Sequence, residues 1–281
     1  MFKFYCVTNL KKAEEFILEL PTISPRRICF ATTHKNALEY NPGAKWVGRF
    51  RVPFKETIKT IFETMTGLEL FHSEKYGNYW RSIKTKEEYN LIKDWMEQVK
   101  NIVFIRDNLD LSIALSEHKL NEEERTSIGE LEYRAKYHND KSSISKLIRL
   151  LVDTLKLMPF FTDVDYVCAV PPSEGKVHDL PSELAKAVSA LIKKPNITNK
   201  LIWANQKKSL KDVKLEEKLL ALKMADLQVN CNVNAKKVLI LDDMYQSGIT
   251  INYIAMKILE KGADKIYSIA LVKSRKDSDN L

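Results

Sequence analysis

A chain of 281 residues has room for one large domain or two ordinary ones. Hydrophobic residues make up 44% and aromatics 9%, enough to build a core, which excludes global disorder. A formal net charge of +8 suits a surface that meets phosphates, whether of a metabolite, a nucleic acid or a membrane, or one kept basic for solubility.

In chain order, Met1–Thr8 reads as a short aromatic-rich strand, and Asn9 caps the helix LKKAEEFILEL. Pro21 and Pro25 bracket a turn, ICFATTH is a strand, and KWVGRFRVP is ambiguous up to Pro53. FKETIKTIFETM and KEEYNLIKDWMEQV are periodic helices, NIVFIRD a strand and LDLSIALSEHKL a helix. The polar run from His118 to Ser127 then breaks the pattern. A division there gives an N-terminal α/β domain over 1–126, of unassigned type, and a second domain over 127–281. The second domain alternates cleanly: helix SSISKLIRLLVDTLKL, strand DYVCAVPP, helix PSELAKAVSALIKK, strand KLIWA, helix VKLEEKLLALKMA, strand KKVLILDD, helix ITINYIAMKILEKGA, strand KIYSIALVK. That alternation predicts a doubly wound parallel sheet.

Cys6, Cys29, Cys168 and Cys231 form no CxxC pair, which argues against a zinc ribbon, and a reducing cytoplasmic setting fits them. The start lacks the apolar core of a signal peptide, and no run approaches the roughly 18 apolar residues of a membrane span. Lysines lie scattered among acids rather than in a nucleic-acid arm.

Most of the chemistry is concentrated between Val238 and Thr250. Val238–Leu241 is a buried strand, Asp242 and Asp243 end it, and Tyr245, Gln246, Ser247, Gly248 and Ile249 make a turn into the helix opened by Thr250. In an open α/β sheet the ligand crevice lies beyond the carboxyl ends of the strands. Two carboxylates there suit the vicinal hydroxyls of a sugar, and hydroxyls with close backbone amides at a helix N-terminus suit a phosphate. A plain helix cap is the alternative, and it needs only one Asp or Ser.

This segment resembles the phosphoribosyl pyrophosphate (PRPP) motif of type I phosphoribosyltransferases, in which a hydrophobic strand runs into two acids and then Thr-Thr-Gly-x-Thr. Asp242, Asp243, Ser247, Gly248 and Thr250 carry the match; Gln246 stands for the first hydroxyl residue and Met244 for a branched aliphatic. From about Gly129 to Lys273 the order of segments is similar to ComF-type amidophosphoribosyltransferase-like proteins. Their zinc-binding cysteines and the Arg-Gly-Phe-Asn-Gln run after Val-Pro are absent, and KVHDLP stands in that run's place. The resemblance implies a C-terminal phosphoribosyltransferase-like domain that binds PRPP with Mg2+, with Asp242 and Asp243 as catalytic residues that hold ribose or water-coordinated metal. It implies a 5′-phosphate site at Tyr245 through Thr250, a pyrophosphate loop at Pro172, Ser173, Glu174, Gly175 and Lys176, and a closing loop carrying Lys207 and Lys208. Arg134, Lys136 and Tyr137 either line the site or cover the sheet edge, and His178 is expected at the surface. The acceptor is an unidentified small nitrogenous molecule. The alternative is a non-catalytic PRPP or nucleotide sensor in a DNA-uptake or bacterial defence system, its basic surface turned to a nucleic acid or protein. A homo-oligomer is left open.

Overall fold

The computed structural model describes residues 10–41, 46–172, 178–207, 210 and 213–275. The expected strand Met1–Thr8 and the Asn9 cap lie outside the described residues, as do Ser173, Glu174, Gly175, Lys176 and Lys208. The first half comprises α1 (Leu10–Glu19), β1 (Arg27–Ile28), β2 (Leu38–Tyr40), β3 (Gly48–Val52), α2 (Ile58–Thr66), β4 (Phe71–Ser73), β5 (Asn78–Ile83), α3 (Lys86–Gln98), β6 (Val103–Ile105) and β7 (Leu111–Glu117). The second comprises α4 (Ser127–His138), α5 (Lys141–Leu157), β8 (Tyr166–Ala169), α6 (Leu180–Ile192), β9 (Leu201–Trp203), α7 (Leu215–Ala225), β10 (Leu227–Val229), β11 (Lys237–Tyr245), α8 (Ile249–Leu259) and β12 (Lys265–Lys273).

Six strands form the central sheet in the order β1-β6-β7-β12-β11-β8. β7, β12, β11 and β8 run parallel, and β6 and β1 complete one edge antiparallel. Side chains alternate across it. Leu239 and Leu241 of β11 enter the core beneath α2, α3, α5 and α6, while Val238 and Ile240 enter the core beneath α1, α7 and α8. Each fully buried leucine or isoleucine contributes about 2 kcal/mol, so both faces of the strand must stay covered. That gives the three layers of a doubly wound α/β fold, as the alternation predicts.

The sheet crosses the expected division at residue 126. β7 from the first half pairs directly with β12 from the second, so Ile113 lies beside Ile269 and Glu117 beside Lys273. The expected helix over LDLSIALSEHKL is corrected here. Leu111–Glu117 is a strand with all seven residues buried. A strand covered on both faces is continuously apolar, and over so short a run this cannot be told from a buried helix turn. ICFATTH shortens to β1 plus a turn, and KLIWA, though a strand, pairs antiparallel with β10 outside the main sheet. A separate antiparallel sheet, β2-β3-β5-β4, packs Phe50, Val52 and Ile83 against α2 and α3 around Trp95.

Side-chain caps set the start of the helix that matters most for the site. Thr126 accepts a hydrogen bond from the Gly129 amide at 2.9 Å and donates to the Glu117 carbonyl at 2.6 Å, tying the start of α4 to the end of β7. A side chain at Gly129 would place Cβ 2.1 Å from the His118 carbonyl oxygen, so only glycine permits this approach.

Candidate functional site

The carboxyl ends of β8 and β11 lie side by side, and the turn after β11 opens into a cleft of about 1190 Å3. Gln246, Ser247, Gly248 and Thr250 line it, together with Asp242, Met244 and Tyr245. Gly248 is the N-cap of α8, with φ +82°, and no side chain caps the helix. The first amides of α8 therefore remain available to an anion, favoured further by the helix dipole.

The turn rests on a buried polar floor. The Tyr245 hydroxyl donates to Asp107 at 2.9 Å, and Arg26 donates to the Ser247 carbonyl at 2.9 Å and to the Tyr245 hydroxyl at 3.4 Å. Asn252 donates to the Gly248 carbonyl at 2.8 Å and accepts from the Asn108 amide at 3.1 Å. Burial pushes Asp107 up to about 6, against the hydrogen bonds it accepts and the nearby charge of Arg26. Gly248 sits directly on the Tyr245 ring, where a Cβ would lie 2.2 Å from the hydroxyl oxygen.

On the α4 side, one ammonium serves several acids. Lys136 Nζ lies 2.8 Å from Asp243 Oδ2 and 3.5 Å from Glu132 Oε1, and His118 Nε2 is 3.7 Å from Glu132 Oε2. Burial raises Glu132 to about 7, offset by Lys136 and reinforced by Asp243. Burial opposes the charge of Lys136, yet Asp243 and Glu132 together hold its pKa above the ordinary lysine value. Asp242 is raised to about 8 by burial first and then by the charge of Asp243; Lys136 and Lys207 act in the other direction.

The two expected acids therefore play different parts. Asp242 lines the cleft, whereas Asp243 is buried and paired to Lys136. Ile249 buries its side chain in the core and brings only its backbone to the turn. Tyr245 is 1% exposed and supports the turn from below. Pro172 follows β8 at the same end of the sheet. Lys207 is no solvated lysine: it is buried, donates to the Pro171 carbonyl at 3.3 Å and lies 4.9 Å from the Trp203 ring centre. Lys136 and Tyr137 line the cleft. Arg134 instead faces solvent beside Asp140, at 3.6 Å. His178, expected at the surface, is half-buried, with Nε2 3.3 Å from the Ala135 carbonyl.

Arg26, Asp107, Asn252, Glu132 and Lys218 escape sequence reasoning. Only Glu132 carries a signal, its four-residue spacing to Lys136, and that normally marks an exposed helix pair. Cations dominate the cleft wall: Arg27, Lys119, Lys136, Lys218 and Arg275 against Glu122 and Asp242. Such a wall concentrates a polyanion.

No protein-family model matches the chain, and no curated protein does. Similar solved structures include adenine phosphoribosyltransferase from Leishmania tarentolae, at 9% identity and TM-score 0.37, covering 59% of this chain and 93% of that one. A purine phosphoribosyltransferase from Pyrococcus horikoshii Ot3 overlaps at 12% identity and TM-score 0.32, covering 48% and 84%. Phosphoribosylpyrophosphate synthetase from Mycobacterium smegmatis overlaps at 18% identity and TM-score 0.29, covering 44% of this chain and only 33% of that one.

Among the described residues no group of three or more His, Cys, Asp or Glu is arranged to hold a metal ion. The donors present, Asp242 at the cleft with Asp243 behind it, fit a hard cation that keeps most of its ligands as water and substrate oxygens. Among the described residues no helix is long and apolar enough to cross a membrane.

Proposed function

We propose that this cleft binds PRPP with magnesium and transfers ribose 5-phosphate to a nitrogenous acceptor, releasing pyrophosphate. One observation carries the reading. The uncapped N-terminus of α8, with Ser247 and Thr250 at its mouth, and the Asp242 carboxylate line the same cation-rich cleft. A dianionic 5′-phosphate fits the first feature, ribose hydroxyls the second and pyrophosphate the third. In this reading Lys207, held at the Pro171 carbonyl beside the end of β8, and the residues expected from the resemblance at Pro172 to Lys176 would serve the pyrophosphate.

Magnesium would neutralise the leaving group. The chain's own residues do the rest. The Gln246–Thr250 turn anchors the phosphate end, Asp242 accepts hydrogen bonds from the ribose hydroxyls, and Lys136 keeps Asp243 neutralised. The C1–O bond to pyrophosphate breaks with its electron pair leaving on oxygen, and the acceptor nitrogen forms the C1–N bond and gives up its proton to the departing pyrophosphate or to water. Charge at the anomeric carbon is transient, so holding and aligning both partners supplies most of the catalysis. The ComF-type likeness is a matter of segment order and adds no acceptor.

A second reading, a non-catalytic sensor of PRPP or a nucleotide, gains support from Asp243, which is already tied to Lys136. Calorimetric titration with PRPP, with and without magnesium, followed by pyrophosphate release against a panel of acceptors, separates the two. Magnesium-dependent binding with acceptor-dependent release is expected. Binding without release under any acceptor favours the sensor, and no binding at all refutes both.

A further inference from the structure

The N-terminal half supplies no residue to the PRPP-type motif, yet it supplies the floor under it. Arg26 precedes β1 and is fully buried. Its Nη1 donates to the Ser247 carbonyl at 2.9 Å and its Nη2 to the Tyr245 hydroxyl at 3.4 Å. Asp107, which follows β6, accepts from that hydroxyl at 2.9 Å and balances the guanidinium charge. Asn252 holds the next carbonyl, that of Gly248, at 2.8 Å.

A trans peptide points its N–H opposite to its C=O. Pulling the Ser247 and Gly248 carbonyls down to the floor therefore turns the Gly248 and Ile249 amides up, toward the cleft. Two successive amides aimed together make an anion-binding concavity. Asp107 offsets the guanidinium charge, so Arg26 acts through the Ser247 carbonyl that it holds rather than as a bare cation.

We propose that Arg26 is a positioning residue for the 5′-phosphate: it fixes the Ser247 carbonyl so that the following amides face the phosphate. This rests on the transferase reading of the cleft. The N-terminal half is then part of the substrate site rather than a separate partner module, because the phosphate turn keeps its shape only on a floor built by Arg26 and Asp107.

Calorimetry on the full chain tests it, with ribose 5-phosphate as the probe of one subsite and magnesium pyrophosphate as the probe of the other. Arg26→Met should weaken ribose 5-phosphate by about ten-fold or more, the loss of one charge-assisted hydrogen bond. Arg26→Lys keeps the charge that balances Asp107 but reaches only one of the two acceptors, so the loss should be about three-fold. Pyrophosphate affinity should stay unchanged in both, a selectivity that general destabilisation does not produce. Should Arg26→Met fail to fold, Arg26→Lys decides alone. Wild-type protein that binds both probes, with Arg26 variants that match it or lose both probes equally, overturns this inference and leaves the transferase reading standing. Wild-type protein that binds neither probe overturns both.

Discussion

Gly248→Ala is the sharpest perturbation of the site, because two separate costs meet at one atom. The first is conformational: φ is +82°, and an L-residue in the left-handed region costs about 1–2 kcal/mol. The second is steric. A Cβ would stand 2.2 Å from the Tyr245 hydroxyl oxygen, 2.6 Å from Cζ and 2.9 Å from Cε1, so the ring must move. Moving it breaks the 2.9 Å hydrogen bond to the Asp107 carboxylate, a bond to a charged group worth about 1.5–3 kcal/mol. The expected loss is about 3–4 kcal/mol of unfolding free energy, with PRPP binding lost as well. Gly67→Ala is the internal control: φ is +70°, but nothing lies within 4 Å of the added Cβ, so only about 1 kcal/mol should go. Urea unfolding at pH 8, where Asp107 is ionised, measures both. Tyr245→Phe combined with Gly248→Ala should cost less than the sum of the single changes by at least about 1 kcal/mol, since the Asp107 bond can be lost only once. A Gly248→Ala protein no weaker than Gly67→Ala, with wild-type PRPP affinity, refutes the account of the turn.

Asp242→Asn should weaken magnesium-PRPP binding by about ten-fold or more while leaving the unfolding midpoint no lower, because it removes a carboxylate that burial already disfavours. Asp243→Ala is expected to lower stability as well, by roughly 1–3 kcal/mol, because it strips a buried partner from Lys136; denaturant titration of the two variants side by side tells them apart. Glu132 provides a pH signature. Its folded value of about 7 lies above the ordinary 4.5, so the native state holds an extra proton between those values. The resulting penalty of about 3 kcal/mol is fully present above pH 7 and gone below pH 4.5. Wild type should therefore gain on Glu132→Gln as pH falls from 8 to 5, and parallel stability profiles would sink this. Chelation of divalent cations should abolish PRPP binding yet leave the thermal midpoint in place, since no metal cluster among the described residues supports the fold; a midpoint that drops with chelator would show a structural ion.

Most strands and helices of the second half, though not α4 or β10, were legible in the sequence because both faces of a buried parallel strand must be apolar and each helix must cover one of them. KKVLILDD and KIYSIALVK show this plainly, and the structure places them as β11 and β12. The Ser-Gly pair at the start of α8 was legible too, since a turn into a helix is local, but β11 runs on through Tyr245 instead of ending at Asp242 and Asp243 as expected, because Met244 and Tyr245 keep pairing with Val272 and Lys273 of β12. What the sequence alone could not determine is everything that depends on residues distant along the chain. LDLSIALS looks helical until β6 and β12 enclose it as β7. The division near residue 126 falls within a single sheet for the same reason. Asp242 and Asp243 are neighbours in sequence and the strand's pleat turns them to opposite faces, but only the packing of α4 decides that Asp243 meets Lys136 while Asp242 is left at the cleft. Arg26 lies 221 positions from Ser247, and no spacing rule connects them. Local hydrogen bonding and hydrophobic period are written in consecutive residues; the partner that neutralises a buried charge is chosen only when the chain closes on itself.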